Sequence, residues 1–269
     1  MPELPEVETV LRTLESRIKD KKILACRIIS RQIINGDAEE FRKRITGETF
    51  RSFKRRGKYL LFIMDDLIMV SHLRMEGKYF IQKPEEPLIK HTHAVFCLDD
   101  GTELRYNDTR RFGRMELIPY DSDLRSFHDL GPEPFDEAFD LCYFNKYTAG
   151  RKTPVKSLLL DQEFVAGIGN IYADEILYAC GIRPGRSCGR LTQKNKQDII
   201  DQTRRILQEA IAAGGTTIRS YTSSLGVTGL FQLQCMVHSQ KQCRICGTDI
   251  KIRRIGGRSS YYCPLCQRK

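Results

Sequence analysis

The sequence carries Pro-Glu-Leu-Pro-Glu-Val-Glu-Thr at residues 2–9, and a helical pattern runs on from it. Apolar residues at helical spacing form one face of the predicted helix: Val7, Val10, Leu11, Leu14 and Ile18. Pro5 suits the first turn, where its missing N–H would have no partner in any case. Glu6 and Glu8 suit the same end because the helix dipole is positive there. We therefore predict a packed helix that holds the amino-terminal residues in place.

Residues 23–118 show a different pattern, of short apolar segments rich in β-branched and aromatic residues. The predicted strands are Tyr59–Met64, Leu67–Leu73, Lys78–Ile81, Ala94–Leu98, Glu103–Tyr106 and Arg114–Ile118. Asp-Asp-Gly at 99–101 is typical of a hairpin turn. Strands at this spacing indicate a sandwich or barrel. Gly-Pro-Glu-Pro at 131–134 interrupts the pattern and indicates a domain boundary.

The second half is predicted to be helical. We expect helices at Val155–Leu160, at Ile171–Cys180 and from Thr192 to Ala213, the last ended by two glycines at 214–215. A stretch rich in Ser, Thr and Gly at 216–229 indicates an extended loop.

The glycines at 167 and 169 lie in a turn between two predicted helices. Because they follow a helix and not a strand, a dinucleotide-binding motif is excluded. A helix-turn-helix-like unit would place Asn170 and backbone N–H groups at a helix N-terminus, which suits a phosphate. A simple tight turn explains the same glycines equally well.

Four of the ten cysteines follow the spacing Cys243-x2-Cys246-x16-Cys263-x2-Cys266. Two such pairs supply the four thiolates of a tetrahedral structural zinc site. A redox role for the pairs is the alternative, and the lack of a βαβ context weighs against it. Between the pairs, residues 250–262 predict a hairpin with Arg258 beside its turn. The remaining cysteines follow no pattern and indicate a reducing compartment.

Positive charge is concentrated at the end of the chain, whose formal net charge is +10. Eight basic residues and one acid, Asp249, lie between Lys241 and Lys269. Such a segment is as typical of a solvated surface as of a nucleic-acid site. No apolar stretch approaches the length of a membrane helix, and the first twenty residues lack the apolar core of a secretory signal. We therefore expect a cytoplasmic protein with no membrane partner.

Together these motifs resemble the formamidopyrimidine-DNA glycosylases, in the same order and over nearly the whole chain. The resemblance rests on residues 2–9, His-Leu-Arg-Met-Glu-Gly at 72–77, Asn-Asp-Thr-Arg-Arg-Phe-Gly at 107–113, residues 167–177 and the four cysteines. It implies an α+β fold, with DNA bound in the cleft between the two halves. The implied parts are an N-terminal β-sandwich with its helix (1–130), a linker (131–150), a helix-two-turn-helix domain with a lesion-recognition loop (151–234) and a zinc finger with a β-hairpin (235–269).

The resemblance also implies an activity, that of a bifunctional DNA glycosylase and AP lyase of base excision repair. Pro2 would be the nucleophile, since a free N-terminal proline is a secondary amine with a pKa near the α-amino reference of about 7.7–8.0. Glu3 would be the general acid/base. Lys58 would donate a proton in the β-elimination, and Arg258 would act in the second elimination.

Further residues are implied to bind damaged double-stranded DNA. His72, His91, Arg110, Lys152 and Asn170 would hold phosphates. Met75, Arg110 and Phe112 would fill the gap that a flipped base leaves in the stack. The cofactor implied is one structural zinc ion on Cys243, Cys246, Cys263 and Cys266, and the expected protein is a nucleoid-associated monomer of bacterial type.

Two alternatives remain open from the sequence. Leu4 favours excision of oxidised purines, because the sister enzyme for oxidised pyrimidines, of the endonuclease VIII type, usually begins Pro-Glu-Gly-Pro-Glu. A non-catalytic zinc-finger DNA-binding protein is the other alternative, and Pro2, Glu3, Lys58 and Arg258 speak against it. The family usually carries Tyr-Gly-Arg and a longer approach to the first cysteine. Here residues 237–242 lead straight into Cys243, which leaves the orientation of the finger open.

Overall fold

A computed structural model describes residues 1–124, 127–216 and 229–268. The chain divides into two compact units. The first unit comprises residues 1–124 and 216–229, and the second comprises residues 125–215 and 230–269. Within the described ranges, no helix is long and apolar enough to span a membrane.

The first unit combines two helices with eight strands. The helices are α1 (Leu4–Ile18) and α2 (Ala38–Ile45), and the strands are β1 (Ile23–Ile28), β2 (Ser52–Arg56), β3 (Tyr59–Ile63), β4 (Leu67–His72), β5 (Lys78–Gln82), β6 (Thr92–Leu98), β7 (Glu103–Asn107) and β8 (Arg114–Pro119). The six strands predicted from the sequence are confirmed to within two residues at each end. The structure adds β1, β2 and α2.

The strands form two antiparallel four-stranded sheets, ordered β1-β6-β7-β5 and β2-β3-β4-β8. Helix α1 turns its apolar face into the same core as both sheets, with Val7, Leu14 and Ile18 fully buried. The predicted hairpin turn lies between β6 and β7, where Gly101 takes a positive φ of 81°. This β-sandwich with an N-terminal helix is the fold expected from the sequence.

The second unit is helical and ends in a hairpin. Its helices are α3 (Leu141–Thr148), α4 (Val155–Leu160), α5 (Asn170–Ala179) and α6 (Gln193–Ala212), and its strands are β9 (Lys251–Ile255) and β10 (Arg258–Tyr262). Thr192 caps α6 by accepting a hydrogen bond from the N–H of Asn195, and the helix ends directly before the two glycines.

Helix α3 lies inside the segment expected to be a linker, so that segment is more than a connector. Asp140 caps the helix by accepting a hydrogen bond of 2.7 Å from the N–H of Tyr143. Phe144 is fully buried, with its ring 5.0 Å from that of Phe164. The helix therefore belongs to the core of the second unit.

Candidate functional site

The amino-terminal residues are buried at the start of α1. Pro2 is buried, and Glu3 is only 3% exposed. The N–H of Glu3 donates a hydrogen bond of 2.8 Å to the Glu6 carboxylate. The same carboxylate accepts bonds from the N–H and hydroxyl of Thr216, at 2.7 and 3.0 Å. Glu6 thereby ties the amino terminus to the first residue of the 216–229 segment.

Lys58 lies in the two-residue turn between β2 and β3. Gly57 precedes it with a φ of 56°, a conformation that favours glycine. Lys58 is 6% exposed. Arg55 donates a hydrogen bond of 2.9 Å to the Gly57 carbonyl and forms an ion pair of 3.1 Å with Glu8 of α1. The structure therefore links the helix that follows Pro2 to the turn that carries Lys58.

Two loops carry the residues expected to fill the DNA stack, and both pass over the Tyr106 hydroxyl. Met75 lies in the loop between β4 and β5, and Arg110 and Phe112 lie in the loop between β7 and β8. A Cβ atom added at Gly77 would stand 2.4 Å from that hydroxyl, and one added at Gly113 would stand 1.7 Å from it. Only glycine fits at either position as the loops are placed.

The second of these loops is organised by Asp108, which is completely buried. Its carboxylate accepts hydrogen bonds from the N–H groups of Arg110 (3.0 Å) and Gly113 (2.8 Å). The loop leaves Phe112 47% exposed, and the Arg110 guanidinium lies 4.6 Å from the centre of that ring. Phe112 is therefore accessible to a bound partner. The role of Asp108 was not predicted.

The two histidines expected at phosphates differ in their surroundings. His72, at the end of β4, is 7% exposed and packs edge-on against the Tyr59 ring at 4.6 Å. Its Nδ1 accepts a hydrogen bond of 2.9 Å from the N–H of Arg74, which leaves the ring proton of a neutral imidazole on Nε2. His91 is half-buried and takes a positive φ of 70°. Its carbonyl accepts the N–H of Asp108 at 3.0 Å.

In the second unit, Asn170 is the first residue of α5, as the sequence suggested. Gln162 shapes the preceding turn, accepting the N–H of Gly167 (3.0 Å) and donating to the Ile168 carbonyl (2.9 Å). Among the described residues, the buried Asn170 Oδ1 has no hydrogen-bond partner. Lys152 is exposed before α4. Backbone N–H groups at the N-terminus of α5 and an exposed lysine before α4 are both groups that suit an anion.

The four cysteines predicted to bind zinc lie together at one point. Their sulfur atoms are within 4.8 Å of one another, with Cys243–Cys266 at 3.8 Å and Cys246–Cys263 at 3.5 Å. A tetrahedral zinc ion with bonds of about 2.3 Å requires sulfur separations of roughly 3.8 Å. The cluster therefore fits one zinc ion.

The finger is attached to α5 through its first cysteine. The Tyr178 hydroxyl lies 3.0 Å from the Cys243 sulfur. Burial alone would raise the pKa of the Cys243 thiol, but hydrogen bonds from Tyr178 and from two backbone N–H groups lower it to about 6. These donors stabilise the thiolate that zinc requires. Tyr178 was not identified from the sequence.

A buried polar network orients the hairpin whose second strand begins with Arg258. Lys156 of α4 and Asp174 of α5 form an ion pair of 2.7 Å in which both side chains are fully buried. Lys156 also donates to the Ser259 carbonyl at 2.9 Å, and the second Asp174 oxygen lies 2.8 Å from His238 Nδ1. The hairpin is thereby fixed to both helices.

Glu175 fixes the short approach to the finger. Its carboxylate accepts the N–H groups of Met236 (2.8 Å), Val237 (3.0 Å) and His238 (2.8 Å). The short approach at 237–242, which lacks the family's usual Tyr-Gly-Arg, is therefore held on α5 by Glu175. Backbone donors bound to one buried carboxylate hold the approach in place.

Comparisons with known proteins match the whole arrangement. Residues 1–115 match the formamidopyrimidine-DNA glycosylase N-terminal domain, residues 130–222 match its H2TH domain, and residues 240–268 match the zinc finger found in FPG and IleRS. A formamidopyrimidine-DNA glycosylase of Bacillus subtilis is 46% identical over 275 residues, covering 100% of both chains.

Solved structures agree with this match. Lactococcus lactis Fpg in complex with DNA containing N7-benzyl-Fapy-dG superposes with a TM-score of 0.94 at 39% identity, over 100% of both chains. The same protein with DNA containing an oxidised pyrimidine gives a TM-score of 0.93 at 39% identity, again over 100% of both chains. With sequence, fold and zinc site in agreement, the chain belongs to the formamidopyrimidine-DNA glycosylase family.

Proposed function

We propose that this protein is a bifunctional DNA glycosylase and AP lyase that removes oxidised bases from duplex DNA in base excision repair. The observation that carries the proposal is the amino terminus itself. Pro2 is buried directly before α1 and next to a buried glutamate, Glu3, whose backbone is fixed by Glu6. A family member with this terminus has both the amine and the acid that the two reactions need.

Pro2 acts as the nucleophile once Met1 has been removed, because its nitrogen is an amide while methionine is attached. The free secondary amine attacks C1′ of the damaged nucleotide and loses its proton, while the bond from C1′ to the base breaks and the base leaves. The C1′–O4′ bond then opens with protonation of O4′, and the nitrogen lone pair forms the iminium that links protein and sugar. Glu3, the next residue, exchanges protons with the sugar and the base.

Strand cleavage follows from the iminium, which makes the neighbouring sugar protons acidic. Lys58, buried in its turn and tied to α1 through Arg55, supplies a proton during the β-elimination. Arg258, fixed at the start of β10 by the network around Lys156, acts in the second elimination. When bound, zinc gives structural support to this hairpin.

Five polar residues hold the DNA backbone: His72, His91, Arg110, Lys152 and Asn170. Met75, Arg110 and Phe112 occupy the space left by the flipped base, which otherwise costs a few kcal/mol. The exposure of Phe112 and the buried Asp108 that shapes its loop support this assignment. The protein acts as a monomer in the bacterial cytoplasm, at the nucleoid.

Oxidised purines, 8-oxoguanine and formamidopyrimidines, are the proposed lesions. The 216–229 segment supports this choice through hydroxyl residues and glycines that suit a lid offering N–H groups to a flipped base. Residues 217–228 lie outside the described ranges, and Glu6 holds Thr216 at the base of the segment. Oxidised pyrimidines are the second candidate, because the Lactococcus lactis relative was solved with DNA that contains one.

A single comparison of cleavage rates tests the proposal. Duplexes carry 8-oxoguanine opposite cytosine, thymine glycol opposite adenine, or no lesion. We expect the 8-oxoguanine strand to be cut fastest and the undamaged duplex to stay intact. Faster removal of thymine glycol would assign the protein to pyrimidines. Binding of all three duplexes without any cleavage would instead identify a non-catalytic DNA-binding protein.

A further inference from the structure

A cavity of about 490 Å³ lies in the second unit, between residues 183–190 and the hairpin of β9 and β10. Four arginines line it: Arg183, Arg186, Arg190 and Arg253. None of the residues assigned above to DNA cleavage or phosphate binding is among its lining. Its volume is that of an ordinary small-molecule site.

None of the described residues that line the cavity is acidic, so its lining carries the arginines' positive charge without a carboxylate. Arg183 donates to backbone carbonyls of Gln267 (2.9 Å) and Pro264 (2.8 Å), and Arg186 donates to the Arg190 carbonyl (2.9 Å). Neutral carbonyls position these guanidinium groups without removing their charge. Like charges gathered around one concave space repel one another, and a bound anion relieves that repulsion.

The rest of the wall is apolar and aromatic. Pro184, Ile255 and the half-buried Tyr262 contribute it. A tyrosine face accepts a stacked base, and arginine forks match phosphate oxygens in pairs. Inorganic anions would use only the charged half of such a site. A ligand with both a phosphate and a base or sugar uses the whole cavity.

We propose that this arginine-lined cavity binds the phosphate of a nucleotide, either a free nucleoside diphosphate or the terminal phosphate of a nucleic-acid strand. The site is separate from the residues proposed for base excision, so it stands or falls independently of that function. Arg253 brings the hairpin's charge to the loop side of the cavity, because its Nη1 lies 3.8 Å from the point where a Cβ on Gly185 would stand.

Arg254 provides a matched control. Successive residues of a strand point to opposite faces, so Arg253 and Ile255 share the cavity face and Arg254 does not. Both arginines are exposed and lie next to each other in β9. Arg253→Gln and Arg254→Gln therefore make the same change in net charge on opposite faces of one strand.

The test measures calorimetric binding of three probes to the zinc-loaded full chain. The probes are dGDP, a 5′-phosphorylated six-nucleotide single strand, and its unphosphorylated twin. Saturable binding of dGDP would identify a free nucleotide as the ligand. Preference for the phosphorylated strand over its twin would identify the end of a strand, and we expect one of these two results. Arg253→Gln should lower the affinity for the probe that binds by about tenfold or more, as expected for loss of a charge-assisted hydrogen bond.

Gly185→Asp gives a second variant, since it places a carboxylate beside Arg253 at a position whose φ needs no glycine. It should abolish the binding, while Arg254→Gln leaves it within about twofold. Equal loss in Arg253→Gln and Arg254→Gln would overturn the proposal, because charge alone would then explain the affinity. Absence of saturable binding by every probe would overturn it as well.

Discussion

Replacing Gly113 with alanine should disable the loop that presents Arg110 and Phe112. The new Cβ would stand 1.7 Å from the Tyr106 hydroxyl and 2.9 Å from the ring carbon that bears it. A non-bonded contact between carbon and oxygen requires about twice the distance of 1.7 Å, so the loop must move by roughly 1.5 Å. A displacement of about 1 Å can lower a rate by about a hundredfold. Overpacking also costs about 1–3 kcal/mol of stability.

Single-turnover excision of 8-oxoguanine measures the loss, and we expect a fall of about a hundredfold. Gly185→Ala is the control, because its Cβ would meet only ordinary contacts of 3.6 and 3.8 Å. Adding Tyr106→Phe to the Gly113→Ala variant removes the closest atom and should restore part of the rate. Full activity in Gly113→Ala, or no gain in the double variant, would refute the proposed role of the Tyr106 hydroxyl.

Two further predictions concern the second unit. Cys246→Ser should lose both the bound zinc and most of the binding to lesion duplex, because the metal's binding energy also folds the finger. Elemental analysis should find one zinc ion per chain in the unchanged protein. A metal-free protein of full activity would contradict this prediction. Asp174→Asn should destabilise the protein by about 3–5 kcal/mol in denaturant unfolding, since it removes the negative charge that forms an ion pair with the buried Lys156. Asp198→Asn is the control: it removes an exposed ion pair with Lys194 and should lower the free energy of unfolding by no more than about 1 kcal/mol. Equal losses of stability in the two variants would show that burial of the ion pair does not matter.

Elements with a strong local signal were predictable from the sequence. Helix α4 has the predicted bounds, Val155–Leu160, and the zinc site has its four predicted ligands. In these cases the decisive information is a spacing along the chain. Helical periodicity and paired cysteines specify their structures with little help from distant residues.

Short elements that depend on partners were missed. Strand β2 reads Ser-Phe-Lys-Arg-Arg, with Phe53 as its sole apolar residue, and it is defined by pairing with β3. Helix α2 is only eight residues long, although its Asp37 cap and the spacing of Phe41 and Ile45 were a usable signal. Tertiary pairing decides such elements more than propensity does.

The supporting residues of the candidate site were also missed, for a similar reason. Glu6 was interpreted only as a residue that suits a helix N-terminus, whereas its carboxylate binds both Glu3 and Thr216. Asp108 acts inside its own loop, on the N–H groups of Arg110 and Gly113, and Tyr178 acts on Cys243, which is 65 residues away in the chain. Motif spacing identifies groups that meet DNA or metal, but the contacts that position those groups appear only in the fold.

Reductive trapping of the covalent intermediate tests the central claim most directly. Protein shown by mass determination to lack Met1 is mixed with a duplex containing 8-oxoguanine and treated with borohydride, which reduces the iminium to a stable bond. We predict one protein–DNA adduct per chain, located on the peptide that begins with Pro2, and its loss when an N-terminal extension blocks that amine. An adduct of undiminished yield on the extended protein, or one located on a lysine, would contradict Pro2 as the nucleophile.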